Sequence, residues 1–185
     1  FTDWKKRNYE INEIIEFGKK HNHSGYDCII GVSGGKDSIR QALYVRDSLK
    51  MNPLLVSLGY PPEQLSQKGA DNISTLINLG FNCITINPAP QTWKRLLKKG
   101  FFKYGNWCKS TELGLLSSVP RLAVRYNIPL IWWGENPALQ VGDLNTMGSH
   151  GSDGNNLRNM NTLGGGDCSW LLEEGIQKNK ILQYL

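Results

Sequence analysis

The sequence lacks three features that would assign it to a broad class at once. No two of its four cysteines lie close enough to form a C-x-x-C pair, so the residues do not favour a zinc knuckle or a redox dithiol. No apolar run approaches the roughly 18–20 residues of a membrane span. No charged, apolar, small-residue leader stands at the N-terminus, which gives secretion no support. We therefore expect reduced thiols and a cytoplasmic protein that does not cross a membrane.

Composition and charge are those of a folded protein. The chain has 185 residues, the size of one ordinary domain, and 39% of them are hydrophobic. Lysine and arginine number 21 against 16 acidic residues, a formal net charge of +5 that suits an anionic small ligand as well as nucleic acid. The 20 glycines are about 11% of the chain, against an average usage of about 7%, and this excess calls for a local explanation.

Apolar runs typical of buried strands alternate with helical periods along the chain. The runs predict strands at 26–32, 53–58, 82–87 and 129–134, and the periods predict helices at 4–20, 36–50, 67–79, 92–102 and 111–126, the last interrupted near Pro120. This alternation predicts an α/β fold: a doubly wound parallel sheet of about five strands with helices on both faces. Such a sheet binds ligands beyond the carboxyl ends of its strands, where the strand order switches.

The pattern divides the chain into four parts. An N-terminal helix and turn (1–25) precede an α/β domain (26–141), a glycine-rich flexible loop (142–168) and the start of a C-terminal helical segment (169–185). Seven of the 25 residues at 142–166 are glycine and no apolar period is visible, which predicts a long loop able to act as a lid. The sequence begins at Phe1 and stops inside a predicted helix, so we expect the core of a longer protein.

The most informative stretch is Ser33-Gly34-Gly35-Lys36-Asp37-Ser38, which follows the first predicted strand and opens a helix. Two glycines let the backbone turn sharply and approach a bulky anion, and N–H groups at the helix start point at it. The two serines add hydroxyl donors and Lys36 adds a positive charge. Asp37 lies in the first turn, where a carboxylate is favoured and can hold Mg²⁺ beside phosphates. The stretch predicts a phosphate-binding loop.

Other loop motifs fit these residues less well. A Walker A loop would need glycine at Ile30 and serine or threonine at Asp37, and the dinucleotide motif would need glycine at Ser33. The nucleophile elbow G-x-S-x-G does match Gly31–Gly35 and would make Ser33 a hydrolase nucleophile. That alternative needs a later histidine, and only His150 in the glycine-rich loop is available. A purely structural strand–turn–helix is a further alternative.

The loop is similar to the SGGxDS loop of the PP-loop ATP pyrophosphatases. That resemblance implies cleavage of ATP to AMP and pyrophosphate while a carbonyl-type oxygen is adenylated. From about Trp4 to Gly142 the chain also resembles the N-acetyl sugar amidotransferases. The matching segments are Tyr26-Asp27-Cys28-Ile29-Ile30, Met51-Asn52-Pro53-Leu54-Leu55-Val56, Asn127-Ile128-Pro129-Leu130-Ile131, Trp133-Gly134-Glu135-Asn136-Pro137 and, further along, Trp170-Leu171-Leu172-Glu173-Glu174-Gly175-Ile176.

The resemblance implies a function in the synthesis of surface polysaccharide, including lipopolysaccharide O-antigen, or of flagellar sugars. The enzyme would adenylate an N-acetyl sugar so that glutamine-derived ammonia forms an amidino group. It would use ATP and Mg²⁺, and its partners would be a glutaminase subunit and a nucleotide-activated N-acetylated sugar. The residues favour neither a membrane nor a nucleic acid as a partner.

The resemblance and the loop chemistry together imply a set of site residues. Lys36, Asp37, Glu135 and Asn136 would be catalytic, with Asp37 also holding Mg²⁺. An alternative for Glu135 and Asn136 is a helix-capping turn before Pro137. ATP and its pyrophosphate would be bound by Gly31, Val32, Ser33, Gly34, Gly35, Lys36, Asp37, Ser38, Ser57 and Gly134.

Several alternatives stay open at this point. Cys108 is either a structural thiol or a sulfur carrier. The basic residues of 94–103 form either a solvated helix face with aromatic residues in the core or an RNA-binding surface. The chain as a whole could instead be a tRNA-modifying PP-loop enzyme, for thiolation or lysidine-type ligation, or a non-catalytic adenine-nucleotide binding module.

Overall fold

The computed structural model of the chain describes residues 2–134 and 168–184. Its helices are α1 (Trp4–Lys20), α2 (Lys36–Leu43), α3 (Gln67–Asn78), α4 (Pro90–Tyr104) and α5 (Lys109–Arg125), and its strands are β1 (Cys28–Gly31), β2 (Pro53–Leu58), β3 (Cys83–Ile86) and β4 (Ile131–Trp132). A π-helical turn prolongs α2, and short 3₁₀ turns lie at Pro62–Gln64, Ser169–Leu171, Glu173–Gly175, Lys178–Lys180 and Leu182–Tyr184. No helix in these ranges is long and apolar enough to cross a bilayer.

Four strands, within the described residues, form a sheet in the order β3-β2-β1-β4. Strand β1 runs parallel to both neighbours, with Gly31 opposite Val56 and Ile30 opposite Trp132. All six residues of β2 are buried, as expected of a central strand covered on both faces. The parallel sheet with its helices confirms the predicted α/β fold class, with four strands described where about five were predicted.

The strand order reverses at β1. From β1 the chain moves outward through β2 to β3 and then returns to the other side of β1 to add β4. In a parallel sheet with right-handed crossovers, this reversal sends successive connections to opposite faces. It also separates the loops that follow β1 and β4, which opens a crevice at the carboxyl ends of these two strands.

The described residues divide into two compact units. The first lies within Phe1–Ser57, Leu65–Thr85 and Val119–Gly134, and its core includes Ile30, Leu55, Leu76 and Phe81. The second lies within Leu58–Gln64, Ile86–Ser118 and Glu135–Leu185, and its core includes Trp93, Leu96, Trp170 and Tyr184. The phosphate loop belongs to the first unit.

A buried carboxylate holds the amino ends of β1 and β2 together in the first unit. Asp27 Oδ1 accepts a hydrogen bond from the Asn22 side chain (2.8 Å), and Oδ2 accepts one from the Asn52 backbone N–H (2.7 Å). The Asn52 side chain in turn donates to the Gly25 carbonyl (2.6 Å). These bonds fix the register of the two strands at the edge opposite the phosphate loop.

The predicted interruption near Pro120 is wrong, because α5 continues through this residue. Proline lacks only the one N–H that would bond the carbonyl four residues earlier, and a helix can tolerate that loss when its surroundings hold it. Two residues before it, the Ser118 hydroxyl donates to the Gly114 carbonyl, a contact that often accompanies helix bending.

Burial along the other elements depends on where each element lies in the fold as well as on the spacing of its apolar residues. Cys28 on central β1 is fully buried, and this burial raises the pKa of its thiol to about 12. Cys83 is only half-buried because β3 lies at the sheet edge. On α3 only Leu76 is buried, and the apolar side chains of Ile77 and of Leu79, just after the helix, are exposed.

Candidate functional site

The phosphate loop continues directly from the end of β1. Val32 is buried, and its N–H donates to the Val56 carbonyl (2.8 Å), so strand pairing extends one residue beyond Gly31. The chain then leaves the sheet at Ser33, which is exposed, and turns at Gly34. The loop therefore starts from a hydrogen-bonded strand, and the bond to Val56 holds its first residues beside β2.

Gly34 is required by both its backbone and its surroundings. Its φ of +76° lies in the left-handed region that residues with a Cβ rarely adopt. A Cβ at this position would lie 2.8 Å from the carbonyl carbon of Asn72 and 2.9 Å from its carbonyl oxygen. The backbone of α3 thus packs against the loop at Gly34, and no larger residue fits there.

No side chain caps the start of α2. Gly35 stands at the N-cap with an extended backbone (φ −70°, ψ 166°) and makes no side-chain cap hydrogen bond. The first N–H groups of a helix have no partner within the helix and carry its positive dipole end. A glycine in this place leaves these groups accessible to an anion from outside the chain.

The two serines of the loop brace its backbone. The Gly35 N–H donates to Ser33 Oγ (3.4 Å), and the Ser38 hydroxyl donates to the Gly35 carbonyl (3.0 Å). The hydroxyl of Ser38 is thus engaged within the loop, and it must rotate before it can donate to a phosphate. Both serines lie in the predicted loop, and the structure adds this bracing contact to their predicted roles.

Lys36 and Asp37 are exposed in the first turn of α2. Neither makes an ion pair with another described residue, so both charges face solvent at the uncapped helix start. No group of three metal-ligating His, Cys, Asp or Glu side chains occurs in the described ranges. A Mg²⁺ ion fits Asp37 only together with oxygen ligands from phosphates, which is the usual arrangement for this cation.

Two further predicted residues lie at the same sheet edge. Ser57 follows Val56, the partner of Gly31, and is buried. Gly134 comes two residues after Trp132, the partner of Ile30, and is exposed. The loop after β1, the end of β2 and the end of β4 thus lie at the same edge of the sheet, where the strand order reverses. The predicted catalytic residues Glu135 and Asn136 lie outside the described residues.

Two residues that were not predicted shape this edge. Asn72 of α3 limits the loop at Gly34. Gln41 of α2 places its carboxamide against Gly134, where a Cβ would lie only 2.6 Å from Gln41 Oε1. Gln41 follows Ser38 by three residues and so shares its helix face, a spacing that could have identified it. Nothing in the local sequence could have identified Asn72, because its role comes from tertiary packing.

A second group of titratable side chains lies in the second unit, around Cys108. Burial raises the pKa of the Glu112 carboxyl. Burial raises the pKa of the Tyr60 phenol, and the Glu112 carboxylate raises it further. Cys108 immediately precedes α5 and is half-buried.

The basic helix α4 agrees in part with the predicted solvated face, because Lys94, Arg95 and Lys98 are exposed and Trp93 is buried in the core. Lys99 is only 7% exposed and donates to the Glu173 carbonyl (2.8 Å), while Lys103 pairs with the Glu173 carboxylate (2.6 Å). Phe101 and Phe102 are exposed instead. Part of the basic side of α4 thus contacts Glu173 within the second unit, and the RNA-binding alternative stays a prediction.

No protein-family model and no curated protein matches the chain. Among solved structures, it is similar to the NH₃-dependent NAD synthetase of Campylobacter jejuni, solved with a nitrate ion, at 18% identity and a TM-score of 0.51 over 76% of this chain and 61% of that one. The NMN synthetase of Francisella tularensis gives 17% identity and a TM-score of 0.49 over 98% and 74% of the two chains. A predicted subunit of a tRNA methyltransferase from Methanocaldococcus jannaschii gives 18% and 0.39 over 63% and 56%.

The likeness to the NAD synthetase shows a shared fold. The chain spans about three fifths of that enzyme's length, 61%. The chain therefore has the α/β fold of that NAD synthetase, in agreement with the predicted α/β fold class. None of the three structures is that of a sugar amidotransferase, and that part of the resemblance stays a prediction.

Proposed function

We propose that the chain is the ATP-binding part of an amidotransferase that adenylates an N-acetyl sugar. The observation that carries this proposal is the loop at Ser33–Ser38. It joins a glycine at positive φ, an uncapped helix start and a lysine without an ion pair at the switch in strand order of the described sheet. These are the features needed to hold a polyphosphate with backbone N–H groups and a mobile charge.

The proposed reaction makes a poor leaving group into a good one. The oxygen of the acetamido group attacks the α-phosphorus of ATP, and the bond to the bridging oxygen breaks to release pyrophosphate. Ammonia then attacks the carbon of the adenylated group, and AMP leaves with the former amide oxygen. The product is an amidine, and atoms balance without water: amide, ATP and ammonia give amidine, AMP and pyrophosphate.

The residues of the loop have distinct tasks in this proposal. The N–H groups at the start of α2 bind the pyrophosphate oxygens, and Lys36 neutralises the charge that develops as pyrophosphate leaves. Gly31 and Val32, together with Ser57 on β2, border the adenosine. Mg²⁺, held by Asp37 and phosphate oxygens, would supply further charge neutralisation there.

The choice of acceptor and partner rests on the sequence resemblance. The segments that resemble N-acetyl sugar amidotransferases include β1, β2 and the chain around β4, and these elements border the crevice. A separate glutaminase subunit would supply ammonia, and the acceptor would be a nucleotide-activated N-acetyl sugar of surface polysaccharide. Glu135 and Asn136, just beyond Gly134, would face the reacting acetamido group.

The proposal is tested by acceptor-dependent AMP formation. The protein is mixed with ATP, Mg²⁺ and ammonium chloride, and AMP and pyrophosphate are measured with a panel of nucleotide-activated N-acetyl sugars or with bulk tRNA. We expect AMP with at least one sugar and none with tRNA. AMP formed only with tRNA would favour tRNA modification instead. ATP binding without AMP from any acceptor, with a glutaminase present, would favour the non-catalytic module.

Lys36→Ala separates the role of the lysine from that of the fold. We expect this variant to lose AMP formation by about a hundredfold or more, in the range found for removal of one stabilising charge or donor. Its melting temperature should not change, because Lys36 is exposed and makes no ion pair with another described residue. The matched control is Lys68→Ala, an exposed lysine near the start of α3. Normal turnover by Lys36→Ala would exclude the assigned role.

A further inference from the structure

Gln41, on the helix that begins with the phosphate loop, places an unpartnered polar atom at the end of β4. Its carboxamide lies against Gly134, whose Cβ, if present, would be 2.6 Å from Oε1 and 3.3 Å from Cδ. Gly134 therefore leaves the space that the carboxamide fills at the end of β4. The Oε1 atom is buried and has no hydrogen-bond donor in the part of the chain that the structure describes.

An unpaired buried acceptor destabilises the free protein, and native structures contain few of them. Here it occurs on the helix that begins with the phosphate loop, three residues after Ser38. Its neighbour is a glycine at the switch in strand order, where open parallel sheets bind their ligands. A binding site is the setting in which a missing hydrogen bond is supplied by a ligand.

The chemistry of the atom limits what the ligand can offer. A carboxamide oxygen only accepts hydrogen bonds, so the partner must carry an N–H or O–H group. The phosphate oxygens held by the loop are themselves acceptors and cannot supply it. Since the proposed function assigns the adenosine to the edge between β1 and β2, the edge at β4 is left for the second substrate.

We propose that Gln41 contacts the second substrate, and that its Oε1 accepts a hydrogen bond from a nitrogen-bound hydrogen. The donor is either ammonia or the N–H of the acetamido group that is being converted, which share this chemistry. Gln41 thereby orients the nitrogen-bearing reactant beside the phosphate loop. This inference rests on the proposed function and adds to it a residue and a side of the crevice.

The first test is the stability of the free protein. Gln41→Met keeps the length and helix propensity of the side chain and removes the acceptor. We expect its melting temperature to equal or exceed that of the wild type, because the unpaired oxygen is gone. Gln91→Met, on an exposed glutamine of α4, is the matched control and should not change it. A clear fall for Gln41→Met alone would reveal a structural partner and overturn the proposal.

The second test measures ligand binding. Wild type and both variants are loaded with Mg²⁺ and α,β-methylene ATP, which cannot be cleaved between its α- and β-phosphates. They are titrated with ammonium chloride against matched potassium chloride, and separately with N-acetylglucosamine. For one of the two ligands, we expect the dissociation constant to rise about three- to tenfold in Gln41→Met only, as for loss of one hydrogen bond. The ligand that responds identifies the donor.

Two results would overturn the inference while the proposed function stands. In one, neither ammonium nor N-acetylglucosamine distinguishes Gln41→Met from the wild type. In the other, the variant binds the ATP analogue more weakly than the wild type does, while the two proteins bind inosine triphosphate equally well. That pattern would make Gln41 a contact of the adenine amino group. A wild-type protein that fails to bind the ATP analogue refutes the proposed function itself, and this assignment with it.

Discussion

Gly34→Ala tests whether α3 fixes the position of the phosphate loop. The substitution imposes two costs that can be separated. An alanine at a φ of +76° costs about 1–2 kcal/mol for the left-handed backbone. Its Cβ would also lie 2.8–2.9 Å from the Asn72 backbone, and α3 or the loop must move to relieve this contact. Overpacking of this kind typically costs about 1–3 kcal/mol more.

The total of about 2–5 kcal/mol corresponds to a fall in melting temperature of about 4–20 °C for a chain of this size. Gly80→Ala provides the matched control, because Gly80 has a φ of +85° and no heavy atom lies within 4 Å of the position that its Cβ would take. This control carries the backbone cost and the unfolded-state effect of the same substitution without the contact. The difference between the two variants therefore measures the packing of α3 on the loop.

The assay is thermal and urea unfolding of wild type, Gly34→Ala and Gly80→Ala, followed by titration with pyrophosphate. We expect Gly34→Ala to be less stable than Gly80→Ala by at least about 1 kcal/mol, the lower end of the overpacking cost. It should also bind pyrophosphate more weakly, while Gly80→Ala binds as the wild type does. Equal losses of stability in the two variants would refute the reasoning, because α3 would then not constrain the loop.

Three further predictions follow from the first unit. Gly35→Ala should change the free energy of unfolding by about 1 kcal/mol or less, because its Cβ would meet only Ser33 Oγ at 3.5 Å. It should nevertheless weaken pyrophosphate binding about tenfold, because the new methyl group crowds the backbone N–H groups at the start of α2. Asp27→Ala should lower the free energy of unfolding in urea by about 2–4 kcal/mol, because it leaves the Asn52 N–H unpaired. A loss below about 1 kcal/mol would contradict the role of the buried Asp27 carboxylate in holding β1 and β2 together. Because the folded pKa of Cys28 is raised to about 12, the unfolded chain loses this proton first above about pH 9. Stability should then fall as pH rises from about 9 to about 12, and Cys28→Ala should show a shallower fall.

The parts of the fold that follow from local composition were predictable. The central strands β1 and β2 are buried on both faces, so their sequences are nearly continuous apolar runs. The turn that joins β1 to α2 was predictable because its two glycines are consecutive and follow an apolar run, while its phosphate binding stays a prediction. The helix bounds were close for the same reason, and α1 spans Trp4–Lys20 as predicted.

The features of the fold that the sequence did not predict depend on contacts between distant residues. Lys99 looks like a surface residue in the periodicity of α4, yet its long aliphatic stem allows it to be buried while its amine reaches the carbonyl of Glu173. Pro120 signals a break locally, but the surrounding packing keeps α5 continuous. Cys83 is half-buried because β3 is an edge strand, and the sequence of a strand does not determine its position in the sheet.

Two glycines of the site, Gly34 and Gly134, depend both on local sequence and on contacts with distant residues. Gly34 looks like a motif residue whose purpose is a flexible turn, but the structure gives it a second reason, because α3 leaves no room for a Cβ. Gly134 lies outside the motif, and its bare Cα makes room for Gln41. The motif therefore supplies the groups that we propose bind phosphate, while the packing of α3 against Gly34 limits where these groups lie. A chain that carried the same six residues without the close approach of α3 would have the loop sequence but not its placement, which is why Gly34 is the position where the placement of the loop is tested most directly.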